Sequence, residues 1–284
     1  MAGSHHVTVC VTPDFDAVSL WMSWGARGAR VLSRGEFGAT TGAPRLLDLF
    51  DRLAIETTWF VPGHTADTWP EVTSEISVRG HEIGNHGYLH EPFDQLTLDQ
   101  ARAVIHKANN TLERITGSRP TGMRIPAGDF EGALLEVLVD EGFVYDSSLI
   151  GGVEPHWCRS PDELHDDGPN VLGHRIDLVE FPIGFITNDF NHFEFNYANP
   201  MLVGHDTPSH VEEIWRSEFD YMYEHVPGGV MTLTLHPQCI GHGSRIRMLE
   251  RFLSYCQSQP GTRFTTLETA GLEFRRREAP ALAG

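Results

Sequence analysis

Six residues, in four clusters far apart along the chain, are of types that carry out hydrolytic chemistry. Asp14 and Asp16 follow Pro13 at the end of an alternating apolar run. Side chains two apart on a strand share a face, so both carboxylates can enter one pocket; an Asp-x-Asp pattern also ends strands by ordinary turn chemistry. His86 and His90 follow another short apolar run. Two imidazoles four apart on a helical turn can hold one metal ion. The chain has 16 histidines, so roughly one such pair is expected by chance, and surface or capping histidines fit the spacing as well. Arg124 could orient a carboxylate through paired hydrogen bonds, or form a structural ion pair. His236, before Pro237, could act as a general acid, or be a structural histidine at a strand end.

The elements that must position these groups alternate in type. Strand-like runs fall at 7–12, 57–61, 82–85, 122–125, 178–183, 230–235 and 262–265, with helical periodicity between them. Leu46, Leu47, Phe50 and Leu53 share one helical face; Ala101, Val104, Ile105, Ala108, Leu112 and Ile115 share another. The second of these helices opens on Thr97 with Gln100 three residues later, a capping-box pattern, and stops at Gly117. A third helix is expected to open at Ser209 and bury Val211, Ile214, Trp215, Phe219 and Met222. A fourth carries Ile246, Leu249, Phe252, Leu253 and Cys256. Strands alternating with helices imply a mostly parallel sheet with helices outside it. About seven such units suit a barrel, whose sites gather at the carboxyl ends of the strands. The stretches 151–170 and 189–209, rich in Gly, Pro, His, Asp and Asn, read as lids or binding loops. The tail from Arg275 reads as frayed.

Composition narrows the partners. The 284 residues are 40% hydrophobic, enough for a large core in a single domain spanning 1–284. Lys and Arg number 21 against 39 Asp and Glu, a net charge of −18. That balance repels phosphate backbones and anionic membranes, so neither a nucleic acid nor a membrane partner is expected. No apolar run approaches the roughly 20 residues of a membrane span. The start lacks the apolar stretch of a secretory signal, and the four cysteines form no Cys-x-x-Cys pair. The expectation is a soluble, reduced, cytoplasmic protein.

Taken together, the clusters occur in a known order. TPDFDA at 12–17, TWFVPGH at 58–64, GHEIGNHGYLH at 80–90, RIP at 124–126 and LHP at 235–237 make the chain resemble the polysaccharide deacetylase (NodB-homology) family. The resemblance runs from Val7 to about Thr266, and the 80–90 block is its most specific part. RGEFG at 34–38 and HPQCIGHGSR at 236–245 resemble an intracellular branch with peptidoglycan-deacetylase-like, allantoinase-like and cyclic imide-hydrolysing members. The resemblance implies an α/β fold, a distorted (β/α) barrel of about seven strands. It implies that Asp16, His86 and His90 bind one divalent metal ion, with Zn2+ the default. Asp14 would then be the general base, Arg124 its positioner, and His236 the general acid that protonates the leaving nitrogen.

Two departures bear on the substrate. The family usually has an aromatic after the proline of the third motif, where this chain has Ala127, Gly128 and Asp129, and its later Asp-Trp pair has no clear counterpart. Those segments line the substrate pocket in the family, and the lack of an export signal argues against a wall polymer, so the substrate expected is a small molecule or short saccharide: an N-acetylated sugar, or a cyclic imide or ureide opened by the same attack. A catalytically silent binding protein on the same scaffold is the non-enzyme alternative. Trp157, Phe190 and Phe193 are candidate pocket residues, and His64 and His81 are expected in the scaffold. His156, His165, His174, His192 and His205 are expected on loops. Relatives of this kind are often homo-oligomers, which would bring a neighbour's loop over the pocket.

Overall fold

The computed structural model describes residues 7–126, 129–194 and 204–278. Strand β1 (Val7–Pro13) is buried along its whole length. It pairs in parallel with β8 (Gly229–Leu235) on one side and β9 (Thr262–Phe264) on the other. A second sheet has the order β2 (Thr58–Val61), β3 (Glu82–Asn85), β4 (Gly122–Met123), β5 (Tyr145–Asp146), β7 (Arg175–Glu180), β6 (His156–Arg159). Every pairing in it is parallel except β6 against β7. Val7–Pro13 and Thr58–Val61 are covered on both faces and bury every residue, their threonines included.

The two sheets join where the site lies. Just past β1, the Asp14 amide donates to the Leu235 carbonyl (2.7 Å) and the Phe15 amide to the Phe60 carbonyl (2.8 Å). A bridge between Asn188 and Thr234 ties the chain after β7 to β8. The result is the distorted (β/α) barrel that the sequence predicts. It is joined at its carboxyl-terminal end rather than closed by continuous ladders. Helices cover the outside, and the main core packs Phe50, Trp59, Trp215, Phe219 and Phe252 between them and the strands.

Among the described residues there are nine strands, against about seven expected. Of the two additions, Tyr145–Asp146 is too short to show a periodicity. The other, His156–Arg159, is the outermost strand of its sheet and lies inside a stretch rich in turn residues. Thr97 and Gln100 form the expected capping box, and Gly117, at φ +79°, ends that helix in the left-handed conformation. The later helix is Pro208–His225, capped by Thr207 rather than opened by Ser209. Proline is preorganised for the first helical position, which fixes the start one residue earlier than expected. The tail is not frayed at Arg275: the helix runs from Leu267 to Glu278, and Arg275 pairs with Asp177 at 2.8 Å. Residues 279–284 lie outside the described residues. All four cysteines are buried and unpaired. Among the described residues, no helix is long and apolar enough to cross a membrane.

Candidate active site

The carboxyl ends of β1, β3, β4 and β8 open into one cavity of about 250 Å³, whose lining includes Asp14, Asp16, His86, His90, Arg124 and His236. The six residues singled out by type and spacing are thus gathered from four strands, and all are buried.

Asp16, His86 and His90 each offer one ligand atom, all within 4.8 Å of one another. Asp16 Oδ1 lies 3.4 Å from His86 Nε2 and 3.9 Å from His90 Nε2. Bonds of about 2.0–2.2 Å in a tetrahedral zinc site set ligand atoms roughly 3.3–3.6 Å apart; the Asp16–His86 separation matches this, and His90 stands a few tenths of an ångström wider, within reach of the same ion after a small inward shift. The chemistry of the donors agrees. Asp16 Oδ1 is buried and accepts no hydrogen bond of good geometry. The His86 Nδ1–H donates to the Arg124 carbonyl (2.6 Å), which leaves the Nε2 lone pair facing the carboxylate.

Burial pushes His90 down to about 4, against the pull of Asp16 and with help from His86, so its ring is neutral and able to ligate. Burial would raise the Asp16 carboxyl, but the adjacent His86, His90 and His236 outweigh it and hold the group at about 2.

The two histidines do not sit on a helical turn, as their spacing suggests. They occupy a loop after β3, with Gly87 at φ +68° and His90 at φ +60°. Asn85 Oδ1 accepts from the Gly87 amide (2.8 Å), and Glu91 accepts from the Tyr88 and Leu89 amides (2.9 Å each). A non-glycine residue held at positive φ is strained, and such strain persists only where the surroundings over-determine it. Here the braces point His90 at Asp16.

Asp14 and His236 face each other beside this cluster. Arg124 donates through Nη1 to Asp14 Oδ1 at 2.6 Å. The guanidinium is itself fixed by the Ser147 carbonyl (3.0 Å), Ser147 Oγ (2.8 Å) and Thr12 Oγ1 (3.0 Å), and it lies 4.2 Å from the centre of the Phe60 ring. His236 Nε2 lies 3.6 Å from Asp14 Oδ2. On the other side, His236 Nδ1 and the backbone amide donate to the two oxygens of Asp189, at 2.8 and 2.9 Å. Burial opposes a charged ring, but Asp189, then Asp14 and Asp16, overcome it and lift His236 to about 9.

Asp189 is a site residue that sequence reasoning missed. It lies 47 positions from His236 in a stretch read as a loop, and the short helix Asp189–Phe193 carries it inward.

The aromatic candidates divide. Phe190 lines the cavity, its ring 4.9 Å from that of His236. Trp157 does not: it stands on edge strand β6 beneath Arg175 (3.6 Å) and against Phe274 (5.5 Å), beside a separate cavity. Phe193 is buried in the core under Arg245 and does not line the cavity. Trp24, Ile150 and Phe185 instead complete an apolar rim. Of the other histidines, His64 and His81 are framework groups, bonded to Ser19 and Thr57. Ala127 and Gly128, where the third motif departs from its usual form, lie outside the described residues, as does 195–203 within the second loop stretch.

Behind the Ser147–Ser148 wall, Asp146 and Glu180 are paired across β5 and β7, and both are fully buried. Ser148 Oγ donates to Asp146, and Glu180 accepts from the Ser148 and Leu149 amides. Burial raises both carboxyls, Asp146 to about 6 and Glu180 well above its ordinary value, so the pair retains a proton in the folded state. Folded values above unfolded ones mean that the folded state binds more protons, so stability falls as pH rises from near 4 through the folded values. Glu180→Gln keeps the acceptor oxygen and removes the titration. Urea midpoints measured at about pH 5 and about pH 8 should therefore differ less in this variant than in the wild type.

A barrel with two imidazoles, a carboxylate, an Arg-held aspartate and an Asp-held histidine at its carboxyl end has the groups expected of a hydrolase acting on amide carbon–nitrogen bonds. The family model for polysaccharide deacetylase matches residues 35–145. A peptidoglycan deacetylase of Helicobacter pylori is 31% identical, over 95% of this chain and 97% of that protein. A crystal structure of a Mycobacterium smegmatis protein assigned to the polysaccharide deacetylases superposes with a TM-score of 0.85 at 28% identity, covering 98% of this chain and 93% of the other. An allantoinase structure shares the fold, with a TM-score of 0.79 at 22% identity over 98% and 93% of the two chains. The chain belongs to the polysaccharide deacetylase family, whose members hydrolyse carbon–nitrogen bonds of amides and generally depend on a metal.

Proposed function

We propose that this chain hydrolyses the amide of an N-acetylated sugar, with Zn2+ held by Asp16, His86 and His90. The observation that supports this most is that the ligand cluster, the Arg124-held Asp14 and the Asp189-held His236 share one cavity. A bound divalent ion would supply Lewis acidity, polarising the amide carbonyl and acidifying a water. Asp14, held by Arg124, takes the proton of the attacking water as general base. His236, kept cationic by Asp189, returns a proton to the amine nitrogen as it leaves. Acetate and a free amine are the products, and both groups end the cycle in their starting protonation states once water restores them.

The rim favours a second reading. Trp24, Ile150, Phe185 and Phe190 give a small, largely apolar mouth, which suits a compact ring such as a cyclic imide or ureide as well as one sugar unit. The same attack on a ring carbonyl opens the ring without releasing a second product.

Zinc-loaded protein should be assayed for acetate release from N-acetylglucosamine oligomers and for loss of ultraviolet absorbance with succinimide and hydantoin. Acetate release supports deacetylation. Absorbance loss alone moves the substrate to the ring-opening class, and turnover of neither, with ligand binding unchanged in Asp14→Asn, returns a binding protein.

A further inference from the structure

The motifs at 34–38 and 236–245 meet directly behind the ligand cluster. Residues Gly38–Gly42 form a π-helical turn against the short helix Pro237–Ile240. A Cβ at Gly42 would stand 2.2 Å from the Pro237 carbonyl oxygen, and one at Gly241 would stand 2.6 Å from Gly42 Cα. Backbone therefore rests on backbone, a fit that only glycine permits at these two positions. A Cβ at Gly38 would lie 3.1 Å from both the amide nitrogen and Cβ of Gln238.

This seat inserts Gln238 beneath Asp16. The side chain is buried, its Nε2 donates to Asp16 Oδ2 at 3.3 Å, and its Oε1 has no partner. The reverse amide orientation would set an acceptor against a carboxylate oxygen, so the donor belongs on Asp16. Leaving a buried acceptor unsatisfied is costly, which makes Gln238 a poor choice for packing alone. His236 Nε2 also approaches the same Oδ2, at 3.8 Å.

We infer that Gln238 is a positioning residue for the metal centre: by donating to Asp16 Oδ2 it presents Oδ1 to the ion and keeps His236 from that carboxylate. The two oxygens of Asp16 then have separate tasks, Oδ1 facing the imidazoles and Oδ2 held by an amide. Gly38, Gly42 and Gly241 set the depth at which that amide sits. The inference rests on the metal site proposed above.

Gln238→Met preserves most of the volume and removes the donor; Gln238→Ala is the second variant should methionine disturb folding. Dissociation constants for Zn2+ and Co2+ would be measured by competition with a chromophoric chelator. The visible spectrum of the Co2+ form and the melting temperature of metal-free protein would be recorded alongside. The expected result is metal binding weakened by about 10–100-fold, altered Co2+ bands and no fall in metal-free melting temperature. Wild-type metal affinity and Co2+ bands in the folded variants would overturn the inference. A wild-type protein that binds neither ion would instead overturn the metal site.

Discussion

Asp14→Asn should lower turnover by about 10²–10⁴-fold, the usual contribution of a positioned general base, while leaving the metal content unchanged. The asparagine oxygen can still accept from Arg124 Nη1, which bonds Asp14 Oδ1 at 2.6 Å. The guanidinium keeps its bonds to Ser147 and Thr12, so the wall of the cavity should stand. The substitution does remove the carboxylate charge from a buried ion pair in which Arg124 is 1% exposed. Breaking such a pair by deleting one partner costs about 3–5 kcal/mol, much of it from stranding the other charge. An amide that still accepts a hydrogen bond should cost less, so the melting temperature falls but folding survives. Asp14→Ala, which leaves Arg124 facing no acceptor there, should be the less stable of the two. Steady-state rates, metal stoichiometry and melting curves on both variants separate these effects. Turnover retained in folded, metal-loaded Asp14→Asn would place the base elsewhere.

How far the site could be read in the sequence depended on how local each signal was. Asp14 and Asp16 were legible because strand geometry sends alternate residues to one face and they directly follow the alternating apolar run of β1. Arg124 and His236 were legible as residues at strand ends, although only their order along the chain made them more than structural groups. The spacing of His86 and His90 suggested two rings brought together on a helical turn; they do meet, but not on a helix. A braced loop with two positive-φ residues brings the rings together, and backbone conformation of that kind leaves no periodic trace.

Asp189 and Gln238 were missed for a different reason. Their roles exist only through contacts to His236 and Asp16, which the barrel brings together from distant segments. Aromatic type was a poor guide to the pocket: Trp157 faces the final helix, and one turn of a short helix separates cavity-lining Phe190 from core-buried Phe193. The fold followed the same division. Long buried strands announced themselves, whereas Tyr145–Asp146 is defined only by its neighbours.

Removal of metal should have the largest effect of all. Dialysis against a chelator is expected to take turnover below about a thousandth of its starting value, since a bound ion would supply both carbonyl polarisation and an acidified water. Zn2+ should restore it, and Co2+ should substitute, because nitrogen and oxygen donors of this kind admit several divalent ions. Stability should report the same site independently of catalysis. His90 is neutral in the fold, and Asp16 Oδ1 is buried without a hydrogen-bond donor of its own, so metal-free protein holds a carboxylate oxygen that nothing satisfies. An ion present at a thousand times its dissociation constant stabilises the folded state by about 4 kcal/mol through linkage alone. That gain should appear as a higher melting temperature on adding Zn2+, which the chelator reverses. His90→Ala removes one of three protein ligands and should weaken binding by more than the 10–100-fold typical of outer-sphere partners. It does not relieve the strain of a non-glycine residue at φ +60°, since alanine retains its Cβ. The variant should therefore melt near the metal-free wild type and respond little to added Zn2+. A wild-type protein whose turnover and melting temperature ignore both chelator and zinc would show that these three side chains are a buried polar cluster and no metal centre.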